Sequence, residues 1–124
     1  MHISQEQSER NTIQAYSDSQ IQINSINYLN NFILSTKGEP KPWEITRLDQ
    51  LDVAGLPPLL ESKPEIILIG HNVTGKGQFA APAVREYLSQ HRIGLETLSV
   101  GAACRTFNVL LSEGRAVVLA VLFG

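Results

Sequence analysis

The segment Ala116-Val117-Val118-Leu119-Ala120-Val121-Leu122 constrains the fold more than any other stretch of this chain. It holds no polar residue, is rich in β-branched valine and follows the turn signal Glu113-Gly114. A strand of this kind has no face that suits water, so it belongs in the middle of a sheet. Val118 and Leu119 should point to opposite faces, both covered. A second run of the same character, Ile66-Ile67-Leu68-Ile69, ends at Gly70. The stretch from Ile66 to Leu98 reads as one right-handed crossover joining parallel strands.

Helical signals fill the gaps between these strands. Pro82 suits a first helical position. Ala83, Val84, Tyr87 and Leu88 then form an apolar face, and Arg85, Glu86, Ser89 and Gln90 a polar one. Gly94 is a stop, and Leu95 to Leu98 is the next strand. Ser99 caps a helix running to about Ser112, with Ala103, Phe107, Leu110 and Leu111 on its buried side.

The first half has a different rhythm. Ile13, Ala15, Ile21 and Ile23 alternate with polar neighbours, the period of half-buried strands. Ser17-Asp18-Ser19 and Ile23-Asn24-Ser25 carry turn chemistry. Phe32-Ile33-Leu34 reads as the third strand of an antiparallel meander. Two prolines and a glycine make residues 37–42 a loop. Trp43 should pack over one end of the core. Thr46 is expected to cap a short helix in which Leu48 and Leu51 share a face, ended by Gly55 and Pro57-Pro58. Leu59 to Lys63 forms a further turn.

The expected fold class is therefore α/β, with a β-rich N-terminal half followed by βαβαβ. Residues 1–10 read as a loose arm and 11–124 as a single domain. With 124 residues and 13.7 kDa there is no room for two ordinary domains. Hydrophobic residues at 43% and charged residues at 18% suit a soluble globular protein. A net charge of −2 gives no pull toward phosphate backbones, so nucleic acid is not expected as a partner. One cysteine, Cys104, excludes an internal disulfide and suits a reducing, cytoplasmic setting. No apolar run approaches the ~20 residues that span a bilayer, so no membrane insertion is expected. The polar start, Met1 to Arg10, does not read as a signal peptide.

Several patterns bear on chemistry. Gly70-His71-Asn72-Val73-Thr74-Gly75-Lys76-Gly77 satisfies G-x-x-x-x-G-K after a strand and before a helix. Gly77 stands where a phosphate-binding loop needs the Ser or Thr that holds magnesium, so no nucleotide hydrolysis is expected. A softer reading keeps the crevice beyond the strand ends as an anion pocket, with Lys76, Ser99 and Arg105 around it. Cys104 lies early in a helix, where a thiolate is favoured, with His71 the better placed of two candidate bases. The plainer reading makes Cys104 a small buried hydrophobe. His2, His71 and His91 are too scattered for a metal site. Asp49 and Asp52 read as solvated surface.

A set of short matches carries a resemblance. They are Pro64 to Gly70, Pro82, Ile93-Gly94-Leu95-Glu96, Ala102-Ala103-Cys104-Arg105-Thr106-Phe107-Asn108-Val109-Leu110 and Glu113 to Val117. In this pattern the chain resembles the Mth-type domain of unknown function, specifically from Pro64 to Leu119 and more loosely from Thr12 to Trp43. That family includes bacterial and archaeal hypothetical proteins and a mitochondrial respiratory complex I assembly factor. The chain departs from it at Gly70-His71-Asn72, where the family usually has Gly-Thr-Gly, and at Glu96-Thr97-Leu98-Ser99, where it often has Glu-x-Met-x-Thr. The resemblance implies a compact α/β domain with a mixed central sheet, and an assembly or adaptor role in at least one branch. It implies no catalytic activity.

The leading expectation is a non-enzymatic binding or assembly-factor-like domain with a protein partner, with no catalytic residue, cofactor or metal. The alternative is an anionic-ligand protein or small enzyme using Gly70, His71, Lys76, Pro82, Ser99, Arg105, Thr106 and Asn108. Arg105 has two readings. As a strut it would pair with Glu96 or with carbonyls of the 70–81 loop; as a ligand group it would hold a carboxylate or phosphate. The oligomeric state stays open.

Overall fold

The structure, a computed structural model, describes residues 10–72 and 79–123. Among the described residues eight strands form two sheets. The smaller sheet holds β1 (Ile13–Tyr16), β2 (Ile21–Ile23) and β3 (Ile26–Tyr28), in that order and antiparallel throughout. The Ser17 hydroxyl oxygen accepts from the N–H groups of Ser19 and Gln20, both at 3.3 Å, and builds the first turn. The second turn has positive φ at both central residues, Asn24 at 50° and Ser25 at 71°. That is the hairpin geometry whose twist matches the flanking strands.

The larger sheet is mixed, as expected. It adds β4 (Phe32–Leu34), β5 (Lys41–Pro42), β6 (Ile66–His71), β7 (Gly94–Leu98) and β8 (Val117–Leu122), in the spatial order β5-β4-β8-β6-β7. β6 runs parallel to both β7 and β8, and β4 is antiparallel to β8 and to β5. The most apolar segment thus lies between β4 and β6, with every residue of β8 buried.

Helices close both faces. α1 (Pro57–Leu60) is a single turn, α2 (Pro82–Gln90) bridges β6 to β7, and α3 (Val100–Ser112) bridges β7 to β8. One face of the sheet presents Leu68, Val117, Leu119 and Val121 to Ala103 and Phe107 of α3 and to Ile21 and Ile23 of the small sheet. The other presents Ile67, Ile69, Val118 and Ala120 to Val84 and Leu88 of α2 and to Trp43, Leu48 and Leu56. The strand period of two sorts neighbouring residues into these two cores.

Four local expectations need correction. Residues 37–42 are not all loop, since Lys41–Pro42 pairs with Phe32 and Ile33 as β5. Phe32–Leu34 is not the third strand of the meander. That strand is Ile26–Tyr28, while Phe32, Ile33 and Leu34 pair with Val121, Ala120 and Leu119 in the large sheet. All three β4 residues are buried, which the one-sided meander could not provide. Thr46 does not cap a helix. The Gln50 side-chain oxygen instead accepts the N–H groups of Thr46 at 2.8 Å and Arg47 at 3.1 Å, and only a 3-10 turn forms over Leu48–Gln50. Asp52 then starts a second such turn, Val53–Gly55, by accepting the Gly55 N–H at 2.8 Å. Finally, Pro57-Pro58 begins a helix rather than ending one, because a first-turn residue needs no N–H partner.

Candidate functional site

The predicted crevice lies where β6 ends against the start of α3. Gly70 makes this approach possible. A Cβ there would lie 2.9 Å from the Ala103 Cβ and 3.4 Å from the Val100 Cα. His71, the last residue of β6, is buried and sits beside Leu122 of β8. Asn72 donates its side-chain amide to the Asp18 carbonyl at 3.0 Å, tying this end of the sheet to the β1–β2 turn. Lys76, with Gly75 and Gly77 of the G-x-x-x-x-G-K pattern, lies outside the described residues. Pro82 opens α2 and is exposed.

The α3 residues are engaged with their own chain. Ser99 caps the helix, its hydroxyl accepting the Ala102 N–H at 3.3 Å. Arg105 donates from Nη1 to the Tyr16 hydroxyl at 2.8 Å, and its guanidinium lies 5.9 Å from the centre of that ring. Glu96 is not the partner found for it. Gly101 makes room for the ring, since a Cβ there would meet Tyr16 at 3.0 Å. Asn108 grips the backbone of Ile13 from both sides: Nδ2 donates to the carbonyl at 2.9 Å and Oδ1 accepts the N–H at 3.2 Å. Thr106 is half-buried. The structure therefore brings Gly70, His71 and Ser99 to the junction of β6 and α3. It turns Arg105 and Asn108 toward β1.

Electrostatics agree with a packed rather than a reactive helix. Cys104 is fully buried, and desolvation pushes its thiol up to about 12, against a weaker opposite pull from Arg105. A group so held stays a neutral thiol at physiological pH. Among the described residues no three His, Cys, Asp or Glu side chains gather for a metal. Glu65 is held below the usual carboxylate range by the Arg115 guanidinium at 2.8 Å and by the Ala116 N–H. Both partners are exposed, so this pair contributes little to stability.

Two asparagines escaped the sequence reading. Asn11, 2% exposed, donates to the carbonyls of Ser35 and Gly38, both at 2.8 Å, and accepts from Asn24. Asn31 donates to the Ile45 carbonyl at 3.1 Å and accepts the Phe123 N–H at 2.8 Å. No local pattern marks them, because their partners are far along the chain.

The described residues between Ile13 and Leu122 thus form one interlocked α/β unit, and comparison places it. Residues 13–122 match the family described as "Protein of unknown function (DUF498/DUF598)". The chain belongs to this family. A Xanthomonas campestris protein solved by NMR is 32% identical, superposes with a TM-score of 0.79, and the match covers 92% of this chain and 85% of that one. A Bordetella pertussis protein described as a Mth938-like domain shares the fold at 24% identity and a TM-score of 0.65, over 98% of this chain and 90% of that one. Among curated relatives, the Drosophila melanogaster NADH dehydrogenase [ubiquinone] 1 alpha subcomplex assembly factor 3 is 28% identical over 82 residues. That match covers 64% of this chain and only 42% of the relative. The Mth-type resemblance, read as specific from Pro64 to Leu119 and looser from Thr12 to Trp43, is therefore correct. Among the described residues no helix is long and apolar enough to cross a membrane.

Proposed function

We propose that this family member is a non-enzymatic, protein-binding domain of the assembly-factor kind. The observation that carries the reading is the engagement of the crevice's polar side chains. Ser99 caps its helix, Arg105 bonds Tyr16 and Asn108 clamps Ile13. A ligand site needs convergent polar groups free to turn toward a ligand. The name of the Drosophila relative supports the assembly reading. An adaptor role in building a respiratory complex is its finer form, and a cytoplasmic location belongs to the same proposal.

Thermal melts of the parent and Arg105→Ala across sulfate, phosphate and citrate test it. Arg105 is exposed, so its loss should cost about 1 kcal/mol, below the ~3–5 of a buried strut. No anion should stabilise the parent selectively. A shift present in the parent and absent from Arg105→Ala, approaching ~2.7 kcal/mol at a hundredfold excess over the dissociation constant, would overturn the proposal. Its positive arm is capture of a stoichiometric protein partner by the tagged chain from native cells, with the chain recovered in the cytosolic fraction.

A further inference from the structure

The turn between β2 and β3 is Asn24-Ser25, and both residues are exposed. An asparagine followed by a small residue is chemically labile. The next backbone nitrogen can attack the side-chain carbonyl carbon, and bulk on that next residue hinders the ring closure. Elsewhere in this chain asparagine is followed by Thr, Asn, Val, Tyr or Phe, so Ser25 leaves Asn24 the least hindered. The tip of a two-residue hairpin would ordinarily leave both reacting groups to solvent.

The fold holds both of them. The Ser25 N–H, which would have to lose its proton, donates to the Gln14 Oε1 at 2.6 Å. That is shorter than the usual N–H···O range. Asn24 Nδ2, which would have to leave, donates to the Asn11 Oδ1 at 3.1 Å. Gln14 reaches the turn because it lies in the bulge of β1, where the register on β2 shifts between Ile13 and Ala15. Bulges re-aim side chains in this way. Asn11 is buried and fixed, its amide nitrogen donating to the carbonyls of Ser35 and Gly38.

We propose that Asn24 is a latent deamidation site, kept closed by Gln14 and Asn11 while the small sheet is folded. When the turn opens, the Ser25 nitrogen loses its proton to solvent and bonds to the Asn24 Cγ. The Cγ–Nδ2 bond breaks, and Nδ2 takes up a proton from solvent and leaves as ammonia. The five-membered imide that remains is opened by water. Cleavage of the new Cγ–N bond gives aspartate, and cleavage of the original backbone C–N bond gives isoaspartate. Neither product restores the turn. A carboxylate at position 24 has no donor for the Asn11 Oδ1 and meets it acceptor to acceptor. Isoaspartate also lengthens the backbone of a turn whose two-residue length sets the Ile23–Ile26 pairing. Opening of the small sheet is therefore written into the chain irreversibly.

The whole chain is incubated at mildly alkaline pH, and conversion of amide to acid at position 24 is followed by intact mass and peptide mapping. The native parent should convert at least ~tenfold more slowly than the same chain unfolded in guanidinium. Gln14→Ala should raise the native rate about fivefold, the factor that one ordinary hydrogen bond represents, and leave the unfolded rate unchanged. Gln14→Glu keeps an acceptor for the Ser25 N–H and should protect as the parent does. Asn24→Asp, the aspartate product, should melt below the parent. A native parent that converts at the unfolded rate overturns the proposal. So does a folded Gln14→Ala chain with the parent's rate, an Asn24→Asp chain as stable as the parent, or faster conversion at another asparagine in the unfolded chain. Should Gln14→Ala fail to fold, Gln14→Glu decides alone: protection equal to the parent's supports the clamp, and its loss overturns it.

Discussion

Asn108 does with one amide what a neighbouring strand would do with its backbone. It offers a donor and an acceptor at the spacing of one residue, and Ile13 meets both. The register of β1 on β2 shifts immediately after Ile13, between it and Ala15. Asn108→Ala leaves a partly buried N–H and C=O without partners. It should cost about 1–3 kcal/mol in denaturant unfolding, more than the loss of an exposed side chain such as Ser112. Cys104 makes a different prediction. Its thiol is buried, and burial raises its pKa from an ordinary 9.0 to about 12. A thiol reagent at neutral pH should leave the native chain unlabelled and modify it fully once unfolded. The sign on stability follows from linkage. The unfolded thiol ionises above its ordinary value while the folded one does not, so stability falls as pH rises from about 9 toward 12. Native labelling at the unfolded rate would show that α3 opens readily around the thiol. Asn108 was visible in the sequence as a polar residue on a helix face, but its partner lies 95 residues away and no spacing rule finds it.

At the scale of elements, the junction of β6 and α3 is closely packed. The helix approaches the strand closely because Gly70 has no side chain, and Ala103 has a small one. Gly70→Ala should overpack the junction and cost about 1–3 kcal/mol. Ala103→Gly added to it should recover part of that loss, and a double-mutant cycle reads the coupling directly. Zero coupling would mean that the strain is relieved elsewhere. The capping of α3 by Ser99 and the start of α2 at Pro82 were legible, since both follow from local backbone chemistry. The turn of β4 into the large sheet was not. Phe32-Ile33-Leu34 reads as a strand on any scale, and its choice of sheet depends on β8.

For the whole molecule, β8 is the axis on which both cores hang. Val118 belongs to the core under α2, and Leu119 to the core under α3. Val118→Asp and Leu119→Asp should each bury an unpaired carboxylate and remove the cooperative unfolding transition. A variant that still melts like the parent would mean that its face of the sheet is open to water. The small sheet has no core of its own. Ile21 and Ile23 are buried only because α3 and the large sheet lie beneath them. This dependence explains why the conspicuous Ala-Cys-Arg-Thr-Phe-Asn run looked like a site. Arg105 and Asn108 are polar residues on a helix at the predicted crevice, and in the fold they tie α3 to β1 of the small sheet through Tyr16 and Ile13.

The sequence by itself determined that β6 and β8 are strands with two buried faces, where α2 and α3 begin, that one domain forms, and which family the chain belongs to. Those properties follow from apolar periodicity, helix-start chemistry and short-range spacing, which act within a few residues. The partners of Arg105, Asn108, Asn11 and Asn31 and the sheet joined by β4 were decided by the tertiary structure. Each depends on contacts between segments far apart in the chain, and a hydrogen bond or a sheet edge has no address in sequence until packing brings its two sides together.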